Sequence, residues 1–243
     1  CGYKYIRDGL SAEERPEGGW KLREHDAETL RAARERGLEL IAVIDMSADE
    51  PLDRFLERLA AIVRGSRGYV NVYELGNEPH NFGQWRQTFR HNGRDGSWNG
   101  YESDGTVSEW VRKHVEYTNA GADLIKKIAP DKTVIGLGSN TPTNFHALNL
   151  GVSSQLDGVV DHPYTYSLPP EKVPFGWNLA ERDGIRVGDA ENTFAGLIGS
   201  YREQFRKTGK MRTVWITEFG FTGFWFDGKN ETGLYAGFTE EAQ

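Results

Sequence analysis

The sequence predicts an α/β fold built on a parallel sheet, on three observations. Short β-branched or aromatic runs alternate with longer amphipathic helical patterns. The segments between the runs are long enough to hold the crossover helix that parallel neighbours need. Polar residues of chemical interest recur just after the strand runs. Ligand sites lie there both in an open doubly wound sheet and in a (β/α)8 barrel, so the pattern leaves those two forms open. A length of 243 residues suits a single domain of either kind.

Strands are expected at Tyr3–Arg7, Leu38–Asp45, Tyr69–Leu75, Thr133–Leu137, Leu156–Val160 and Thr213–Thr217. The first helix is expected over Asp26–Arg36, where leucine and alanine share one face and Gly37 stops it. A second amphipathic helix, Leu52–Arg64, is closed by Gly65. A third spans about Val107–Ile128 and ends before Pro130, and two more are expected at Phe145–Leu150 and Thr193–Lys207. Two long loops remain, His80–Gly105 and Tyr164–Asp189. Loops of that length in a compact domain are usually functional or disordered.

Composition narrows the function. Hydrophobic residues make up 37% and charged residues 27%, as in an ordinary globular protein. The net charge of -7 is spread along the chain, and no basic stripe invites nucleic acid. No apolar run is long enough to span a bilayer, so no membrane is called for. Cys1 is the only cysteine, which rules out an internal disulfide. No G-x-G-x-x-G, Walker-type loop, H-E-x-x-H, Cys/His cluster or G-x-S-x-G elbow occurs, so no cofactor or metal is expected. The polar stretch Asn92–Asp104 lacks the spacing of an EF-hand.

Two glutamates stand out. Glu78 follows the third strand within Gly76-Asn77-Glu78-Pro79, and Glu218 follows the sixth within Trp215-Ile216-Thr217-Glu218-Phe219-Gly220. Both therefore lie at the same end of a parallel sheet, and in a closed barrel strands three apart face each other across the mouth. Facing carboxyls are what glycosidic cleavage uses: one protonates the leaving oxygen while the other attacks the anomeric carbon or activates water. Taken singly, Glu78 also reads as an acid before a helix-starting proline, and Glu218 as a solvent-facing loop acid. Their joint placement after two apolar strands is harder to explain that way.

These two runs resemble the acid/base and nucleophile segments of the clan A retaining glycoside hydrolases, the superfamily of many cellulases, mannanases and xylosidases. Asp161-His162-Pro163-Tyr164 is similar to the clan's His-x-Tyr pattern after its sixth strand, and Tyr5-Ile6-Arg7 to its second strand. The order and spacing agree over nearly the whole chain. The resemblance implies a (β/α)8 TIM barrel that lacks the first and eighth strands in this chain, forming one catalytic domain over residues 1–243, incomplete at both ends. Strands two and seven would then be open edges, and the chain expressed alone is expected to be poorly soluble or inactive.

The resemblance also implies roles. Glu218 would be the nucleophile, with Arg7 favouring its ionised form and Tyr164 hydrogen-bonding it. Glu78 would be the general acid and then the base. Asn77 would bond the sugar 2-hydroxyl, and His162 would bind sugar or orient its neighbours. No Asp-x-His follows the second strand run; Asp45-Met46-Ser47 stands there, a departure from many cellulase-like members.

The long loops carry aromatics of the kind that stack on pyranose faces: Trp85, Phe89, Trp98 and Tyr101 in one, Tyr166, Phe175 and Trp177 in the other. Trp98 and Trp177 are taken as substrate-binding, and Trp110, in the following helix, as packing. The expected function is retaining hydrolysis of O-glycosidic bonds in polysaccharides or oligosaccharides, with carbohydrate as the partner and an extracellular or periplasmic location. The alternative is a non-catalytic carbohydrate-binding barrel. It would keep the aromatic loops but has no need of both glutamates. The oligomeric state is not legible.

Overall fold

The computed structural model describes residues 3–164, 169–172 and 193–220. The strands are β1 (Tyr5–Gly9), β2 (Ala12–Glu14), β3 (Trp20–Leu22), β4 (Glu39–Ile44), β5 (Val70–Leu75), β6 (Thr133–Ser139), β7 (Gly158–Asp161) and β8 (Thr213–Ile216). The helices are α1 (Glu24–Glu35), α2 (Leu52–Ser66), α3 (Trp85–Thr88), α4 (Glu109–Ile128), α5 (Thr141–Leu150) and α6 (Leu197–Lys207). Six strands pair in the order β1-β4-β5-β6-β7-β8, every pair parallel.

Period-two alternation divides the core into two layers. Leu40, Ala42 and Ile44 of β4, Tyr73 and Leu75 of β5, Val134 and Val159 point outward against the helices. Ile41, Val72, Ile135, Val160 and Trp215, one from each of five strands, pack together on the opposite face. A shared inner layer is how curled parallel sheets fill their interior. In register, Arg7 lies opposite Ile41, and Glu74 lies two residues beyond Val72. Both are therefore on the inner face, where a charge needs a partner.

The sheet is strongly curled. Among the described residues β1 and β8 are its two ends, yet Arg7 on β1 reaches Glu218, just past β8, at 2.5 Å. A flat sheet of six strands would hold its edges about 24 Å apart. The described residues thus form a six-stranded part of an α/β barrel.

The helices follow their apolar faces. Phe55, Leu59, Ile62 and Val63 of α2 are fully buried at helical spacing. Trp110 of α4 is also fully buried, in the packing role expected for it. No helix among the described residues is long and apolar enough to cross a membrane.

Several boundaries differ from expectation. Gly65 does not close α2, which runs to Ser66. A Cβ at Gly65 would lie 2.8 Å from Leu22 Cβ, so the glycine is there to let β3 approach the helix. Helix α5 begins at Thr141 rather than Phe145, because Asn140 caps it by accepting the Thr143 N–H at 3.1 Å. Helix α6 begins at Leu197; Thr193 lies in a turn before it, its hydroxyl accepting the Gly196 N–H at 3.0 Å. The β2–β3 hairpin and α3 were not foreseen, being strands of three residues and a helix of four.

Candidate active site

The loop after β5 carries the first carboxylate on unusual backbone. Gly76 has φ +79° and Glu78 itself φ +42°, a left-handed conformation rare for a glutamate. It is held from both sides. The Glu78 N–H donates to the Gly138 carbonyl at 2.9 Å, and the Glu78 carbonyl accepts from Asn81 and Phe82 at 2.8 and 2.9 Å. Gly138 and Leu137 also have positive φ, at a register irregularity where β6 meets β7. Such bulges re-aim groups at the ends of strands. No helix begins at Pro79, so the helix-start reading of Glu78 fails; residues 79–80 form a turn.

The structure brings Arg7, Asn77, Glu78, His162, Tyr164 and Glu218 together around one point. Arg7 is the hub. Its Nε and Nη2 grip Glu74 at 2.9 and 2.7 Å, Nη2 also donates to Asn77 Oδ1 at 2.7 Å, and Nη1 meets Glu218 Oε1 at 2.5 Å. Burial disfavours the charge on Arg7, but the carboxylates of Glu74 and Glu218 outweigh it and raise the arginine pKa above its ordinary value. The Tyr164 hydroxyl donates to the other Glu218 oxygen, Oε2, at 3.0 Å. His162 Nδ1 lies 3.1 Å from Glu78 Oε1 and 3.8 Å from Glu218 Oε2. Oxygens of Glu78 and Glu218 and a His162 ring nitrogen all lie within 4.8 Å of one another.

That cluster has the spacing to hold a cation, but every carboxylate oxygen already has a hydrogen-bond partner. Glu218 faces Arg7 and Tyr164, while Glu78 faces His162 and the Asn81 amide, the latter at 3.0 Å. A metal ion would have to displace these, the Arg7 cation among them, and we read no metal centre there.

Burial alone would push the Glu78 carboxyl up. The His162 and Asn81 hydrogen bonds, with the electrostatic influence of the His80 and His162 rings, hold it down instead, to about 2. The His80 part of that effect is small at neutral pH, because burial lowers His80 to about 4 and leaves it uncharged.

Trp98 is half-buried and adjoins the site. Its indole N–H donates to Asn81 Oδ1 at 2.9 Å, and its ring meets His80 edge-on at 4.8 Å. Asn140 Nδ2 donates to its carbonyl at 2.9 Å. Other loop aromatics are structural. Trp85 is buried against Phe89, His114 and Tyr117, and Tyr101 stacks on His146. Trp177, Tyr166 and Phe175 lie outside the described residues.

Sequence reasoning missed Glu74, Thr217 and Asn81. Glu74 is fully buried in an otherwise apolar strand, and that was the available signal: a carboxylate at an inward position demands a cation. Thr217 looks like ordinary strand threonine, yet its hydroxyl donates to Glu74 Oε1 at 3.2 Å and meets His162 Nε2 at 3.0 Å.

Comparison with solved structures places this fold. The chain is similar to a family 39 glycoside hydrolase from the gut symbiont Bacteroides cellulosilyticus WH2, with a TM-score of 0.61 and 19% identity over 91% of this chain and 44% of that one. It is also similar to a GH5-4 broad-specificity endoglucanase from Clostridium longisporum, with a TM-score of 0.52 and 17% identity over 91% of this chain and 64% of that one. A glucosidase from Croceicoccus marinus matches with a TM-score of 0.51 at 14% identity, over 92% of this chain and 48% of that one. The chain spans less than two thirds of the length of each. No protein-family model and no curated protein matches it. The structural neighbours are clan A glycoside hydrolases, and the fold is a part of their barrel.

Proposed function

We propose that this chain carries the catalytic pair of a retaining β-glycoside hydrolase acting on polysaccharides or oligosaccharides. The observation that carries the reading is the approach of Glu78 and Glu218 to within 4.8 Å at the mouth of the curled sheet. Retaining enzymes hold their carboxyls about 5–5.5 Å apart, while inverting ones leave about 6.5–9.5 Å for a water.

In this reading Glu218 attacks the anomeric carbon. Arg7 and Tyr164 aim it, each holding one carboxylate oxygen. Glu78 gives its proton to the departing oxygen, then takes one from the water that releases the sugar. Asn77, oriented by Arg7, presents its amide to the sugar 2-hydroxyl. His162, whose side chain is only 2% exposed and whose nitrogens both have partners, orients Glu78 rather than binding sugar. Trp98 offers a stacking face beside Asn81, on the acid's side of the site.

Residues 1–243 would form one catalytic unit. A polymeric sugar substrate would place the protein outside the cytoplasm. The neighbours' activities, an endoglucanase and a glucosidase among them, support a glycosidase without choosing a sugar. A non-catalytic sugar-binding barrel would have no use for two carboxyls this close.

The test is hydrolysis of a panel of aryl β-glycosides by the full protein, with the anomer of the first-formed product read by proton NMR. The β-anomer is expected. The α-anomer, or no turnover on any member of the panel, would overturn the reading.

A further inference from the structure

A general acid must hold a proton before the reaction starts, and the surroundings of Glu78 determine where that proton sits. Glu74 is fully buried and gripped by Arg7 through two guanidinium nitrogens, so it is a carboxylate that only accepts. The Thr217 hydroxyl has one hydrogen and gives it to Glu74 Oε1 at 3.2 Å. Thr217 Oγ1 must then accept from its other neighbour, His162 Nε2, at 3.0 Å. A neutral His162 with its hydrogen on Nε2 has a bare Nδ1, and Nδ1 faces Glu78 Oε1 at 3.1 Å. Two lone pairs do not meet at that distance without a proton between them.

We propose that Thr217 and Glu74 lock His162 in its Nε2–H tautomer, so that the Glu78–His162 contact stores the one proton that Glu78 delivers and recovers. The inference rests on Glu78 being the acid/base. Thr217, Glu74 and His162 are positioning residues, since none of them need touch substrate.

In the first step the Glu78–His162 contact gives its proton to the glycosidic oxygen. The C1–oxygen bond breaks as the bond from C1 to Glu218 forms. Glu78 is left a carboxylate facing a bare Nδ1, an arrangement that favours taking a proton back. In the second step water attacks C1, the C1–Glu218 bond breaks, and the water's proton returns to Glu78. His162 and Thr217 end as they began.

Donation from His162 Nδ1 is the contact that most lowers the Glu78 carboxyl against its burial. With the proton on Glu78, that donation is gone. Both states hold one proton across the contact. The other titratable groups near His162 are Glu218, His80 and the buried Asp161, with the Arg7–Glu74 pair behind Thr217.

The lock is tested with Thr217→Val and Thr217→Ser in the full protein, on aryl β-glycosides of graded leaving-group basicity. Without the hydroxyl, neutral His162 is free to turn its hydrogen to Nδ1 and stabilise unprotonated Glu78. The alkaline limb of kcat/KM for Thr217→Val then moves down by about one pH unit, the scale of one hydrogen bond. Rates fall about tenfold with poor leaving groups and stay near the parent's with dinitrophenolate, which leaves without a proton. Thr217→Ser restores the parent profile. Parent-like behaviour in Thr217→Val, or valine-like behaviour in Thr217→Ser, overturns the lock.

Nitrogen NMR of the His162 ring in the unaltered protein is a check that needs no variant. A neutral ring protonated at Nε2 supports the lock, and one protonated at Nδ1 overturns it. A parent inactive on every aryl glycoside overturns the functional reading instead, and the ring spectrum still decides the tautomer.

Discussion

Arg7 and Glu218 stand at opposite ends of the strand order and meet at 2.5 Å. The contact joins the two ends of the described sheet across its inner face and ties Glu218, the proposed nucleophile, to the arginine that also holds Glu74 and Asn77. One side chain therefore serves both curvature and chemistry.

Removing that arginine should cost stability as well as activity. Arg7→Met leaves Glu74, which is fully buried, without its cation. Loss of one partner of a buried pair costs about 3–5 kcal/mol. Urea unfolding should show a lower midpoint at unchanged slope, and an unshifted midpoint would mean that Glu74 is neutralised some other way.

Asp161 predicts a pH dependence of stability. Burial raises its carboxyl from 3.8 to about 6, against hydrogen bonds from Tyr201, Thr141 and Asn144 that lower it. The folded state thus binds a proton more tightly than the unfolded chain at this site. Its contribution is fully present below about pH 4 and is lost as pH rises through about 6. Melting temperatures of Asp161→Asn should lack that decline between pH 4 and 6. The same slope in parent and variant would assign it to another group.

Gly76 is needed for both space and conformation. It has φ +79°, and an added Cβ would lie 2.9 Å from Met46 Cε and 3.0 Å from His114 Nε2. Gly76→Ala should cost at least about 1–2 kcal/mol from the left-handed backbone alone. Turnover should fall further than stability does, because Asn77 and Glu78 follow directly. Calorimetry beside kcat measurements on the full protein would separate the two effects.

Trp98 should have two separable effects. Trp98→Ala removes the stacking face and should raise KM for oligosaccharides about 3–10-fold. Trp98→Phe keeps a ring but loses the N–H to Asn81, which in turn donates to Glu78 Oε2. It should lower kcat with poor leaving groups while moving KM less. Equal KM changes in both variants would reduce Trp98 to packing.

Much of this was legible in the sequence because parallel strands and amphipathic helices leave periodic marks. Glu78 and Glu218 could be placed at one end of one sheet from strand order alone. The resemblance put Arg7 beside Glu218, 211 positions away, but its contacts with Glu74 and Asn77, 67 and 70 positions away, were not legible. Local pattern gives the face a residue occupies and leaves open which partner it meets across a curled sheet. Glu74 carried a partial mark, a charge at an inward strand position. Thr217 carried none, since its role lies in the direction of one hydrogen bond. Gly65 misled for a physical reason: glycine ends helices, and it also admits close neighbours.

The central claim is that Glu78 is the acid/base and Glu218 the nucleophile. It is tested most directly by azide rescue of Glu78→Ala and Glu218→Ala in the full protein, with an activated aryl β-glycoside. Loss of the acid/base should slow turnover of unactivated substrates about 10²–10⁴-fold. Azide should restore turnover in Glu78→Ala as the β-glycosyl azide, and in Glu218→Ala as the α-azide. Full activity in either variant without azide, or the same azide anomer from both, would contradict the account.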